Sequence, residues 1–105
     1  MPERRTTQRK KVLLEARWKS MSGRHEARVD DVSLGGCFVN TYGPVENGEP
    51  VDLEILLPSG DWLKLRGTVA TCHPGVGFGM WFRFVGTADR AALKELIASV
   101  AERSV

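Results

Sequence analysis

VDLEILLPSGDWLKLRGTVATCH, residues 51–73, is the stretch on which the fold turns. Val51, Leu53, Ile55 and Leu57 recur every second residue, the period that puts side chains on one face of a half-buried strand. Pro-Ser-Gly-Asp then supplies a turn. Leu63, Leu65, Gly67, Val69 and Thr71 resume the alternation on one side of a second run. Two such runs joined by a short turn spell an antiparallel hairpin.

The same grammar extends in both directions. Upstream, VLLEARWK from Val12 is rich in strand formers and ends in the turn SMSG, and HEARVDDVS alternates again. Gly35 and Gly36 break the chain before the short strand CFVNT. YGPVENGEP is loaded with turn residues and leads into the hairpin. Downstream, PGVG turns the chain into the aromatic run FGMWFRFV, in which Phe78, Phe82 and Phe84 share a face by parity. Six strands at spacings of about ten residues predict an all-β antiparallel meander closing into a small barrel.

In TADRAALKELIASVAER the period changes to that of a helix. Leu93, Leu96, Ile97 and Val100 fall on one stripe, Thr87 suits an N-cap, and Asp89 suits the positive N-terminal end. An amphipathic helix over about 88–103 is expected to pack on the barrel. A chain of 105 residues holds one domain and one core. Residues 1–10 read as a flexible basic arm and 11–105 as the single barrel domain with its helix.

Composition narrows function mainly by exclusion. With 42% hydrophobic and 27% charged residues the chain reads as an ordinary globular protein. No apolar run approaches the roughly 20 residues of a membrane span, and no secretory signal is evident, so a cytoplasmic location is expected. Cys37 and Cys72 form neither a C-x-x-C pair nor a zinc set, and both read as buried small hydrophobes. His25 and His73 stand singly, without metal or nucleophile spacing, and read as surface or turn residues. Asp30 and Asp31 are adjacent on a strand and are expected to face opposite ways, which argues against a shared acid/base site. No enzymatic constellation and no cofactor motif emerges.

What remains is charge. The net charge is only +2, yet Arg4, Arg5, Arg9, Lys10 and Lys11 crowd the first eleven residues against a single Glu3. That local excess fits a phosphate-bearing or polyanionic partner, or a basic tail that is merely solvated. A second feature is DDVSLGG, residues 30–36. Asp31 and Ser33 are two apart and lie on one side of an extended strand, and Gly36 leaves room for a ligand or another backbone. The alternative reading of the same residues is a plain turn.

Taken in order, R-T-T-Q-R from Arg5 to Arg9 and D-V-S-L-G-G from Asp31 to Gly36 resemble the two-part signature of the PilZ domain, a bacterial receptor for cyclic di-GMP. The resemblance spans nearly the whole chain, and GFGMWFRF looks like the family's last core strand. It implies a six-stranded antiparallel split barrel with a C-terminal helix, acting without catalysis. It also implies that Arg5, Arg9, Asp31, Ser33 and Gly36 line the ligand site, with Arg4 as an additional contact. The residue types suit that ligand. An arginine fork meets the O6 and N7 acceptors of guanine, and a carboxylate or hydroxyl accepts from its N–H donors. The arm would fold around the dianionic dinucleotide and alter the surface shown to a downstream protein. Two other readings stand beside this one. A small barrel could bind single-stranded nucleic acid through Trp18, Trp62, Trp81 and the phenylalanines, although most of these aromatics are expected in the core. A PilZ-like module could also act on a protein without any ligand.

Overall fold

Around the 51–73 hairpin the computed structural model, which describes residues 10–83 and 85–103, builds six strands and one helix. The strands are β1 (Lys10–Ser20), β2 (Gly23–Val32), β3 (Gly36–Asn40), β4 (Pro50–Leu56), β5 (Trp62–His73) and β6 (Gly77–Phe82), followed by α1 (Thr87–Arg103). β4 and β5 pair antiparallel, with Leu53 opposite Leu65 and Ile55 opposite Leu63. All four side chains are buried, as the alternation requires. Leu57 falls outside the strand. Its amide donates to the Asp61 carbonyl at 2.8 Å and its carbonyl accepts from Gly60, so it closes the turn instead of extending the face.

The six strands form a closed antiparallel barrel in the order β1-β2-β3-β6-β5-β4. This corrects the meander, which would have set β3 beside β4. Instead the nine residues between them cross one end of the barrel, a distance that such a segment can span at about 3.3 Å per residue. The crossing is tied down on the way. The Thr41 amide donates to the Val76 carbonyl, the Gly48 amide to that of Val69, and the Cys72 thiol to that of Val45.

Inside the barrel, Trp18, Val29, Val39, Leu53, Ile55 and Phe78 are among the fully buried side chains. Trp18 packs edge-on against Phe78, with ring centroids 5.1 Å apart. Its indole N–H donates to the Thr41 hydroxyl, which in turn donates to the Glu26 carbonyl. A buried indole would otherwise leave its donor unpaired at a cost of about 1–3 kcal/mol.

Closure depends on three bulges, and these are where parity fails as a guide. β1 carries an extra residue between Lys11 and Leu14, β2 one between Val29 and Asp31, and β5 one between Val69 and Thr71. Each bulge resets the alternation and sharpens the strand's twist. Thr71 is therefore exposed, not inward, and Cys72 is only half-buried, whereas Cys37 is buried as expected. Along β2, burial passes from Val29 directly to Val32, leaving Asp30 and Asp31 both half-buried.

Glycine lets the last strand seat closely. A Cβ at Gly67 would stand 1.9 Å from the Trp81 carbonyl oxygen, so no other residue fits there without moving β6. α1 begins one residue earlier than expected. The Arg90 amide donates to the Gly86 carbonyl at 2.8 Å, which puts Gly86 at the cap and Thr87 in the first turn. Leu93 and Leu96 are buried, and the helix packs on β1 and β5. Burying two leucines contributes about 3–6 kcal/mol, whereas an isolated helix of this length is marginal in water. The barrel, then, holds the helix. Asp89 adds a polar tie, accepting from the Lys64 amide on the part of β5 that extends past the β6 pairing. No helix among the described residues is long and apolar enough to cross a membrane.

Candidate functional site at the β2–β3 corner

Asp31 sits at the end of β2, with its Cα opposite Lys11 of β1 on one side and Phe38 of β3 on the other. Next to it, Val32 pairs with Lys10. Lys10, the first described residue, therefore stands at the corner at which D-V-S-L-G-G turns. Arg4, Arg5 and Arg9 themselves lie outside the described residues.

Ser33 begins the turn, and its hydroxyl is used there. The Gly35 and Gly36 amides donate to Ser33 Oγ at 3.2 and 3.3 Å, and the Ser33 amide donates to the Gly36 carbonyl at 2.9 Å. At 2% exposure Ser33 is among the most buried polar side chains described. Such a side-chain turn offers backbone amides a local acceptor that water cannot supply in a buried place. It also fixes how β3 leaves the corner.

Gly36 opens β3 directly opposite Trp81 of β6. A Cβ there would meet the Met80 carbonyl oxygen at 2.2 Å and the Trp81 ring at 3.4 Å. Of the two close approaches that a glycine could serve at this position, the one seen is by another backbone.

Trp81, which the sequence suggests only as part of a nucleic-acid platform, stands at this corner. Most aromatics were expected inside, and Trp18 and Phe78 are, but Trp81 is 53% exposed on the outer face, beside Gly36. Its signal was present in the parity argument: with Phe78, Met80 and Phe82 turned inward, the residue between Met80 and Phe82 must face out. Phe82 is half-buried, and Phe84 lies outside the described residues. Trp62 is half-buried beneath the Arg17 guanidinium, 3.8 Å from the ring centroid. His25 is not a free surface histidine, for its ring stacks on Trp18 at 4.3 Å and its Nε2 lies 2.8 Å from the Ser22 hydroxyl. His73 is exposed, near the Phe38 ring.

Two concavities, of about 330 and 550 Å³, lie away from the corner. One runs along Arg17, Lys19, Asp52 and Arg66, the other beside Arg28, Asn40, Tyr42 and Val76. Among the described residues no group of three or more His, Cys, Asp or Glu side chains could hold a metal. Among the described residues, the one carboxylate held clearly below its usual range is Glu49. The Glu46 amide is the main cause, with the Ser20 hydroxyl and Met21 amide helping and slight burial opposing.

The family model for the PilZ domain matches residues 3–101. No curated protein matches the chain. Among solved structures, the PilZ domain of YcgR from Escherichia coli with c-di-GMP aligns at a TM-score of 0.77 and 16% identity, covering 97% of this chain and 95% of that one. The K. pneumonia MrkH–c-di-GMP complex aligns at 0.79 and 14% identity, over 98% of this chain and 54% of that one. The Bacillus subtilis inhibitor of motility, MotI/DgrA, aligns at 0.75 and 18%, over 93% and 51%. The chain thus spans about half the length of MotI and MrkH.

Proposed function

Since the chain belongs to the PilZ-domain family, we propose that it is a non-enzymatic cytoplasmic receptor for cyclic di-GMP, with the ligand held between the N-terminal arm and the β2–β3 corner. The observation that carries this reading is one of register. Lys10 lies opposite Val32, Lys11 opposite Asp31, and Gly36 opposite Trp81. The root of the R-T-T-Q-R segment, the D-V-S-L-G-G turn and an exposed indole therefore share one corner of the barrel.

Each group has a distinct task in this proposal. Arg5 and Arg9, with Arg4 as an additional contact, offer planar forks to guanine O6 and N7 and to the phosphates. The Asp31 carboxylate accepts from the N–H donors of a guanine edge. The Trp81 face stacks a purine. Ser33 and Gly36 shape the corner, Ser33 by holding the turn and Gly36 by keeping β3 against β6. The residues before Lys10 act as an arm that orders around the ligand, and the changed surface is read by a downstream protein. The solved YcgR and MrkH structures that resemble this fold contain c-di-GMP, which supports the choice of ligand.

Isothermal titration calorimetry of the chain with cyclic di-GMP, using GTP and a short single-stranded oligonucleotide as controls, tests the proposal. Micromolar or tighter binding of the cyclic dinucleotide alone is expected. Silence with that ligand would overturn the receptor reading, and binding of the oligonucleotide instead would move the function to nucleic acid.

A further inference from the structure

Away from the β2–β3 corner, the outer face of the barrel carries a row of side chains brought together by strand pairing. Arg24 of β2 lies opposite Lys19 of β1, Lys19 opposite Asp52 of β4, and Asp52 opposite Arg66 of β5. Arg83 continues the row, its amide donating to the Arg66 carbonyl. Four cations thus flank one carboxylate. Asp52 is already taken by Arg66 Nε at 2.8 Å, and among the described residues no carboxylate comes within ion-pair distance of Lys19, Arg24 or Arg83.

This row runs against the usual rule of sheet surfaces. Like charges directly opposite one another destabilise a strand pair, yet here Lys19 opposes Arg24 and Arg66 neighbours Arg83. The neighbouring row obeys the rule, since Glu26, Arg17, Glu54 and Lys64 alternate in sign and Arg17 pairs with Glu54 at 2.5 Å. A local rule broken in one row and kept in the next marks a surface shaped for something other than stability. The broken row borders the concavity of about 330 Å³, large enough to seat a few side chains of a partner.

We propose that this row, Lys19, Arg24, Arg66 and Arg83, is a docking surface for an acidic segment of a partner protein. Charge complementarity selects the occupant. Asp52, Glu54 and Asp89 interrupt the positive surface and would repel a continuous phosphate backbone, whereas a protein segment can set its separate carboxylates against separate cations. The inference does not depend on the nucleotide reading, because Lys19, Arg24 and Arg66 lie outside the β2–β3 corner; Arg83 alone adjoins it, next to Phe82, whose amide donates to the Gly35 carbonyl.

The test titrates the full ¹⁵N-labelled chain with a short peptide of alternating Glu and Ala at low salt, and in parallel with a single-stranded DNA oligonucleotide. Amide shifts centred on Lys19, Arg24, Arg66 and Arg83 are expected. Lys19→Glu/Arg24→Glu should weaken peptide affinity about tenfold or more, and Arg5→Ala/Arg9→Ala should leave it unchanged. Arg24→Glu guards against a folding artefact. It converts an opposed like-charge pair into an attractive one, so its thermal midpoint should stand at or above wild type while peptide binding falls. Shifts confined to the arm, unchanged affinity in the double variant, or tighter binding of the oligonucleotide to the same residues would each overturn the proposal.

Discussion

Gly36 lies so close to the last strand that a Cβ on it would stand 2.2 Å from the carbonyl oxygen of Met80. The clash is with backbone, which cannot rotate away, so β3 and β6 must separate. Gly36→Ala is expected to destabilise the barrel by about 2–3 kcal/mol, the upper part of the range for overpacking. Urea unfolding reads this directly, and wild-type stability would mean that the β3–β6 ladder is more compliant than its geometry implies.

Ser33→Ala removes the acceptor shared by the Gly35 and Gly36 amides. A loss of about 1–3 kcal/mol in unfolding free energy is expected, the cost of leaving buried donors unpaired. Ser33→Thr keeps the oxygen and should recover part of the loss.

Arg5→Ala, Arg9→Ala and Asp31→Ala address binding instead. Each should weaken cyclic di-GMP affinity by about 1.5–3 kcal/mol, the range for hydrogen bonds to charged groups, with the fold intact. Calorimetry paired with thermal unfolding separates the two effects. If Asp31→Ala lowered the thermal midpoint and left affinity untouched, its role would be to shape the turn.

Trp81 offers the complementary case. Its indole is 53% exposed, so Trp81→Ala should change stability little while reducing ligand affinity by about 1–3 kcal/mol, the worth of one stacked base. Trp81→Phe should retain most of the affinity. In the wild type, tryptophan fluorescence should respond to cyclic di-GMP, and the response should vanish in Trp81→Phe.

Among the described residues, Glu49 is an assignable contributor to acid stability. Glu49 Oε1 accepts from the Glu46 amide at 2.9 Å, which lowers the Glu49 pKa below its unfolded value. A carboxylate with a depressed folded pKa stabilises the fold above the unfolded pKa, and that contribution is lost as pH falls through the folded value. The thermal midpoint of wild type minus that of Glu49→Gln should therefore shrink as pH falls from neutral to below about 4. A constant difference would assign the role of Glu49 to something other than its charge.

Much of the fold was legible because burial in a barrel follows a period of two. Val51, Leu53 and Ile55, then Leu63, Leu65 and Val69, announced their strands and lie in the core. Leu93 and Leu96 announced a helix by their different period. Of the two short motifs that suggested a site, D-V-S-L-G-G forms a turn at the barrel corner and R-T-T-Q-R lies outside the described residues, while the exposure of Trp81 was implicit in the same parity that buried Phe78 and Met80.

Three things were decided only in three dimensions. Which strands are neighbours is not encoded in any single strand. It depends on where the crossing segment between β3 and β4 finds partners, here Val76, Val69 and Cys72. The bulges at β2 and β5 arise because a closed barrel must coil its strands, and local sequence gives little warning of the extra residue. The charged row from Arg24 to Arg83 exists only through register, since its members come from four strands and the segment after β6. Side-chain alternation is a local consequence of backbone geometry, and so the sequence by itself determined strands, helix and motif. Pairing order, bulges and surface charge rows are consequences of closure, which no local stretch of chain contains.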